Sequence, residues 1–142
     1  MSESDRISLA ALLARLGLGV MFIAHAALKV FVFTVPGTVQ FFQSVGFPGA
    51  LAYVTIAAEL IGGAALVLGV YTRIVALALV PILLGAASVH AGNGWVFNAP
   101  NGGWEYPAFL TLVAVIVALL PHERFALGAR RSRSGGNRLV RA

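Results

Sequence analysis

The sequence predicts an all-α integral membrane protein, a four-helix bundle over residues 9–121 with both termini in the cytoplasm. Of the 142 residues, 59% are hydrophobic and only 11% are charged, and the mean hydropathy is +0.90. Soluble domains carry nearer 25% charged residues. The apolar residues also fall into four stretches separated by short segments rich in glycine, proline and asparagine. A single membrane domain accounts for this composition, and we expect no second domain.

Each predicted helix is bounded by residues that disfavour helix. The first is expected to end at Pro36, and Pro121 closes the last. A polar turn, Tyr71–Arg73, separates the second helix from the third, and a loop rich in glycine and asparagine precedes the fourth. Residues 1–8 form a short polar N-terminus, and the Arg-rich tail is expected to be disordered because it has no sustained apolar periodicity. The helices are expected at about 9–35, 50–70, 74–90 and 106–120, with the tail at 122–142.

The distribution of Lys and Arg predicts the orientation in the membrane. The segments 33–48 and 91–105, on one side, contain neither residue type. Because cytoplasmic loops carry an excess of Lys and Arg, both termini are expected in the cytoplasm of a bacterial inner membrane. On the opposite side, Trp95, Trp104 and Tyr106 are expected to form an aromatic belt. The basic residues on the side of the termini are Arg6, Arg15, Arg73, Arg124, Arg130, Arg131, Arg133, Arg138 and Arg141.

Ionisable residues interrupt the apolar stretches at similar depths. His25 and Lys29 are four residues apart, so they share one face of the first helix. Glu59 lies near the middle of the second helix. A charge near the bilayer centre costs about 2.5–3.5 kcal/mol on insertion scales, so such residues need partners and are candidates for function. We therefore expect one polar pocket in the outer half of the membrane, lined by His25, Lys29, Glu59, His90, Asn93 and Glu105.

Each of these residues also has a purely structural interpretation. Lys29 could extend to the interface as an anchor, and Glu59 could pair with Lys29 or His25 to hold helices together. His90 could cap its helix and bind the neighbouring loop. Glu105 could be a solvated acid that favours a helix N-terminus. The convergence of several such residues at one level favours the functional interpretation.

The inner half of the bundle contains mainly apolar and small residues. Arg15 is expected to extend its guanidinium to the cytoplasmic interface, leaving its aliphatic stem in the apolar region. Gly62 and Gly63, next to the intramembrane acid, are expected to allow another helix to approach closely. Gly17 is expected to serve the first helix in the same way.

Composition and spacing exclude or disfavour several chemistries. The chain has no cysteine, which excludes disulfides, thiolate nucleophiles and iron–sulfur ligation. His25 and His90 could ligate a haem from two helices, but their expected depths differ by more than one turn. A metal site has suitable ligand types but lacks helical E-x-x-H spacing. We therefore expect neither haem nor metal, and no nucleic-acid binding, because the pI of about 10.8 comes mainly from the tail.

Five motifs together resemble the DoxX family over about residues 12–120. They are Arg15-x-Gly17 with His25-x-x-x-Lys29, Glu59-x-x-Gly62-Gly63, Leu68-Gly69-x-x-Thr72-Arg73, His90-x-x-Asn93-Gly94-Trp95 and Gly102-Gly103-x-Glu105. The resemblance implies a small four-helix bacterial inner-membrane protein. The family takes its name from the membrane subunit of thiosulfate:quinone oxidoreductase, and some mycobacterial members associate with a thiosulfate sulfurtransferase and superoxide dismutase.

The chain departs from the family pattern at two places. Ala26 follows His25 where the family commonly has glycine, and the usual Gly-rich C-terminus is replaced by Pro121–Arg124 and the Arg tail. The alanine is expected to tighten the packing beside His25, and because the C-terminus differs, a partner contact made through the family's C-terminus is not carried over. Thiosulfate oxidation is not carried over, because family likeness does not determine chemistry.

These observations predict a membrane subunit whose pocket binds a quinone or another small amphiphile within a redox or oxidative-stress complex. In that role His25 and Lys29 donate hydrogen bonds to a quinone carbonyl, and Glu59 with His25 relays a proton as the catalytic pair. A soluble redox enzyme on the cytoplasmic side is the expected partner, and a homo-oligomer is a further expectation.

Two alternative functions remain. A non-catalytic anchor would hold a soluble enzyme through the Arg tail, which could also bind anionic lipid. A small transporter is the other alternative, although the chain has no internal inverted repeat of the kind many transporters use.

Overall fold

A computed structural model of the chain describes residues 1–121, and this part is helical without strands. The all-α prediction is confirmed. The expected Arg-rich tail, 122–142, lies outside the described residues. The helices are α1 (Glu3–Ala27), which continues as a π-helical turn (Leu28–Val32), α2 (Val35–Ser44), α3 (Ala50–Leu68), α4 (Thr72–His90) and α5 (Glu105–Leu119), with a short 3₁₀ turn (Ala91–Asn93) after α4.

Four of these helices form the bundle. In the described part of the chain, α1 packs on α3, α3 on α4, α4 on α5 and α5 on α1, which closes a ring. Three segments are long and apolar enough to cross a membrane, and α5 is shorter with 15 residues. At ~1.5 Å per residue α5 extends about 22 Å. The side chains at the centre of the bundle are Leu18, Phe22, Leu66, Ala76, Leu79, Leu83, Leu110, Ala114, Val117 and Ala118.

The first helix begins earlier than the expected residue 9. Its start is determined by a capping box: the Ser2 hydroxyl accepts from the Asp5 amide at 3.1 Å, and the Asp5 carboxylate accepts from the Ser2 amide at 3.2 Å. This reciprocal arrangement satisfies two amides that a helix start otherwise leaves without partners. The polar N-terminus therefore extends α1 rather than preceding it.

The expected loop after Pro36 is in fact helix α2. Proline has no amide hydrogen and a fixed φ, so it disfavours a helix interior but suits a first turn. Pro36 occupies that first turn, and the Thr34 hydroxyl caps it by accepting from the Gly37 amide at 3.2 Å. The first span has already ended at Val32, so Pro36 starts a new helix and does not end the preceding one.

We distinguish the two ends of the bundle by whether they contain the chain terminus. The terminal end contains Met1, the end of α5 and the turn between α3 and α4, where Gly69 takes the left-handed conformation (φ 73°) that commonly ends a helix. The distal end contains α2 and the segment 91–104. The candidate site lies in the distal half.

Candidate functional site

Glycines set the distance between α1 and α3. A methyl group built on Gly19 would lie 2.8 Å from the Gly63 carbonyl oxygen, and one built on Gly63 would lie 2.8 Å from the Gly19 oxygen. The two backbones therefore touch at this crossing, as small residues allow between membrane helices. The expected role of Gly63 in packing agrees with this geometry, whereas Gly17 has no atom of another residue near its missing side chain. The glycine that α1 uses is Gly19.

Lys29 and Glu59 form an ion pair on the distal side of that crossing. The Lys29 ammonium lies 2.9 Å from both carboxylate oxygens of Glu59. Glu59 lies one turn from Gly63 on the same face of α3, so the close helix contact directs its carboxylate at α1. The residue is only 4% exposed. We call Gly19, Lys29, Glu59 and Gly63 the crossing site.

The backbone around Lys29 is irregular. Lys29 lies in the π-helical turn, and π turns within α-helices occur frequently at functional sites. Thr34 then takes φ +63°, which is rare for a β-branched residue. The Thr38 hydroxyl lies 3.1 Å from the Lys29 carbonyl oxygen and 2.9 Å from that of Thr34. These contacts hold α2 against the end of α1 and position the backbone that carries Lys29.

Arg15 does not extend to the cytoplasmic interface, so that expectation is wrong. It is 3% exposed, and its guanidinium donates to the carbonyl oxygens of Leu66 (2.5 Å) and Val67 (2.6 Å) near the end of α3. The last four carbonyls of a helix have no partner within the helix, and this end carries partial negative charge. A buried cation that binds two of those carbonyls is thus satisfied inside the bundle.

The segment between α4 and α5 folds into a compact cover at the distal end. The Glu105 carboxylate accepts from the Phe97 amide at 2.9 Å, and the Glu105 amide donates to the Trp95 carbonyl at 3.0 Å. Trp95 and Trp104 pack edge to face with ring centres 4.4 Å apart. Gly103 sits against the Trp95 and Val96 carbonyls, where no side chain would fit. Glu105 therefore stabilises the conformation of this segment.

His90 and Asn93 bind the backbone of the same cover. The His90 Nδ1 atom lies 3.0 Å from the Asn101 carbonyl oxygen and 3.2 Å from that of Gly102. The Asn93 amide donates to the same two oxygens, at 3.0 and 2.9 Å. His90 thus binds the neighbouring loop, as its structural interpretation expects. Its other ring nitrogen, Nε2, takes no part in these contacts.

His25 connects α1 to α5. Its Nδ1 atom lies 2.8 Å from the Met21 carbonyl oxygen, one turn back on its own helix. Its ring stacks on Tyr106, with centroids 5.6 Å apart and planes 22° from parallel. The sequence indicated Tyr106 as an interfacial aromatic residue; its position against His25 was not foreseeable from spacing, because it depends on how α5 packs.

A pocket of about 340 Å³ opens between these residues. Its walls combine polar groups with apolar carbon, and the Tyr106 hydroxyl is buried without a hydrogen-bond partner among the described residues. An adjoining apolar groove of about 550 Å³ shares Phe97 and Tyr106 with it and continues along α5 to Leu112. The distal pocket, as we name it, is lined by His25, His90, Phe97, Gly102, Gly103, Tyr106 and Pro107.

The structure thus divides the expected single site into two. His25 and His90 meet in the distal pocket. Lys29 and Glu59 bind each other instead, and neither lines that pocket. In residues 1–121, no group of three or more His, Cys, Asp or Glu side chains could hold a metal ion.

Comparison with known proteins identifies the family. A family model described as DoxX matches residues 10–92 of this chain. The chain belongs to the DoxX family. A Bacillus subtilis (strain 168) protein named "Putative oxidoreductase CatD" is 41% identical over 117 residues, which cover 82% of each chain. No solved structure matches the chain.

The DoxX match confirms the resemblance read from the motifs. The matched residues contain the whole crossing site and both pocket histidines, His25 and His90. They end just before Asn93 and do not reach α5, which supplies Tyr106. This DoxX protein is therefore a helical membrane protein whose distal pocket is built partly from the matched segment and partly from the chain that follows it.

Proposed function

We propose that this DoxX protein binds a quinone or a similar small amphiphile in the distal pocket, as the membrane subunit of a redox complex. The observation that carries the proposal is the convergence of two imidazoles and the buried, unpartnered Tyr106 hydroxyl in one pocket. A buried polar group without a partner costs about 1–3 kcal/mol, so a ligand that pairs with it gains that energy on binding. The relative's name, an oxidoreductase, agrees with a redox role.

The shape of the site supports an amphiphile rather than a fully polar ligand. A volume of about 340 Å³ is at the small end of known ligand sites, ~300–1,000 Å³, and suits a single-ring headgroup. The adjoining groove over Trp104, Phe109 and Leu112 offers apolar surface for a tail. Phe97 and Tyr106 line both spaces, so headgroup and tail would be continuous.

In this proposal the two parts of the polar constellation have different tasks. His25 and Tyr106 contact the headgroup, with His90 facing them across the pocket. The Lys29–Glu59 pair stabilises the adjacent helices. A proton relay through Glu59 stays a prediction. Both of its carboxylate oxygens bind Lys29, and Lys29 is one helical turn from His25, so a relay would have to pass from His25 through Lys29.

The proposal extends to place and partners. The distal segments 33–48 and 91–105 contain no Lys or Arg, whereas Arg6 and Arg73 lie at the terminal end, so the termini face the cytoplasm of a bacterial inner membrane. A soluble redox enzyme on that side would exchange electrons with the bound quinone. A homo-oligomer is compatible with this arrangement and is not required by it.

Tryptophan fluorescence tests the binding proposal directly. Trp95 and Trp104 line the groove, so a bound decylbenzoquinone should quench them saturably in the detergent-purified protein. Tyr106→Phe removes one hydrogen bond worth ~0.5–1.5 kcal/mol and should weaken binding about two- to twelvefold. Tyr53→Phe is the matched control, because Tyr53 is 59% exposed and lines neither the pocket nor the groove. Quenching that never saturates, or equal affinity in both variants, would contradict the proposal.

A further inference from the structure

The hydrogen bonds of the two pocket histidines determine which ring nitrogen carries the hydrogen. A carbonyl oxygen can only accept a hydrogen bond. The Nδ1 atom of His25 faces the Met21 oxygen, and that of His90 faces the oxygens of Asn101 and Gly102. In a neutral imidazole one nitrogen is a donor and the other an acceptor. Both rings therefore carry the hydrogen on Nδ1 and present Nε2 as an acceptor.

Neither Nε2 atom has a hydrogen-bond partner among the described residues. The two rings line the same pocket, so two acceptors and the Tyr106 hydroxyl are left for a ligand. The Asn93 amide nitrogen also lies 3.4 Å from the His90 Nδ1 atom, but it is closer to the Asn101 and Gly102 oxygens, at 3.0 and 2.9 Å, and its two hydrogens are donated there. A ligand that fills this set must bring its own donors. A quinone carbonyl brings none, whereas each hydroxyl of a hydroquinone brings one.

We infer that the distal pocket selects the hydroxyl-bearing form of its ligand, a hydroquinone-type ring, over the carbonyl-bearing quinone. This inference rests on the proposed function, because it concerns the same pocket. One ring hydroxyl donates to Nε2 of His25 or His90, and the Tyr106 hydroxyl donates to an oxygen of the ligand. The quinone can use only the Tyr106 hydroxyl and offers no donor to either Nε2 atom, so it forms fewer hydrogen bonds in the pocket than the hydroquinone does.

Three compounds with the same tail separate hydrogen-bond donation from size. Decylhydroquinone, its dimethyl ether and decylbenzoquinone are titrated anaerobically against the purified protein. We expect decylhydroquinone to bind about tenfold more tightly than either of the others, as one or two net hydrogen bonds allow. The ether keeps both oxygens and loses both hydrogens but gains two methyl groups, so decylbenzoquinone is the control of matched ring size.

Histidine-to-asparagine variants test the source of the preference. An asparagine amide can replace Nδ1–H as the donor to the backbone while supplying nothing at the position of Nε2. In the double variant His25→Asn/His90→Asn, the ratio of the hydroquinone and quinone affinities should fall to about one. Thermal unfolding monitors the fold of the variant, and if it does not fold, the ranking of the three compounds on the wild-type protein decides alone.

The outcomes distinguish the inference from the function it rests on. A quinone that binds as tightly as the hydroquinone, or a preference that survives in the folded double variant, overturns the inference and leaves the binding site intact. Saturable binding by none of the three compounds overturns the proposed function itself, with ordered water then the simplest partner for the Nε2 atoms.

Discussion

The crossing site and the distal pocket both place polar side chains within the bundle, but the hydrogen-bonding groups of the first are paired and those of the second are not all paired. At the crossing site, the Lys29 ammonium and both Glu59 oxygens are paired, and the backbones of Gly19 and Gly63 touch. In the distal pocket, the Tyr106 hydroxyl has no partner among the described residues. A polar group that is fully paired contributes to the stability of the fold, whereas one left unpaired next to a cavity is available to a ligand. An ionisable residue inside a membrane is therefore a candidate for ligand binding only where its hydrogen-bonding groups are not already paired within the protein.

The largest expected change in stability tests whether the Lys29–Glu59 ion pair is structural. Glu59→Gln leaves the partly buried Lys29 charge without its counter-ion, and breaking a fully buried pair from one side costs about 3–5 kcal/mol, which is the upper bound here. Thermal unfolding in detergent should show a large loss of stability. In the double variant Lys29→Met/Glu59→Leu no charge remains, and most of the loss should be recovered. If Glu59→Gln unfolds like the wild type, the pair is not structural and a proton relay through Glu59 regains support.

The next effect concerns the helix contact. Gly63→Ala places a methyl group 2.8 Å from the Gly19 oxygen, and both atoms belong to packed backbones that cannot move independently. Overpacking of this kind costs ~1–3 kcal/mol. The matched control is Gly17→Ala, where the new methyl group meets no other residue and the higher helix propensity of alanine favours the variant. Equal stability of the two variants would show that α1 and α3 do not touch as described.

The smallest expected effect is that of Tyr106→Phe, which should leave stability unchanged or increase it. Tyr106→Phe removes a buried hydroxyl that has no partner in residues 1–121, so the variant should be as stable as the wild type or more stable by about 1 kcal/mol. The same substitution is expected to weaken ligand binding. A variant that loses stability would indicate that the hydroxyl is already satisfied in the native protein, and this would remove the strongest mark of a ligand site.

Much of this architecture follows from the sequence, because long apolar stretches in a membrane protein allow few alternatives. The four packed helices, the DoxX resemblance and a partner for Glu59 were predictable from hydropathy, motif order and the energetic cost of an intramembrane charge. Pro36 was misinterpreted as a loop signal, since proline is compatible with both the end of one helix and the start of the next.

The parts that could not be predicted depend on tertiary contact. The choice of Gly19 over Gly17 follows from the rotation of α1 about its axis, which no short motif determines. The burial of Arg15 depends on where α3 ends, and the different partners of Lys29 and His25 depend on how α3 and α5 pack against α1. Helical spacing correctly put these two residues on neighbouring turns; it could not show that one turns to α3 and the other to α5.

One ligand titration tests most directly whether the crossing site is structural and the distal pocket binds the ligand. The affinity for decylhydroquinone is measured on two folded variants, Lys29→Met/Glu59→Leu and His25→Asn/His90→Asn, against the wild type. If the crossing site is structural and the distal pocket binds the ligand, the first variant keeps an affinity within about twofold and the second loses about tenfold, the equivalent of ~1.4 kcal/mol. The reverse pattern, with binding lost when the ion pair is removed and kept when the imidazoles are replaced, would contradict the account.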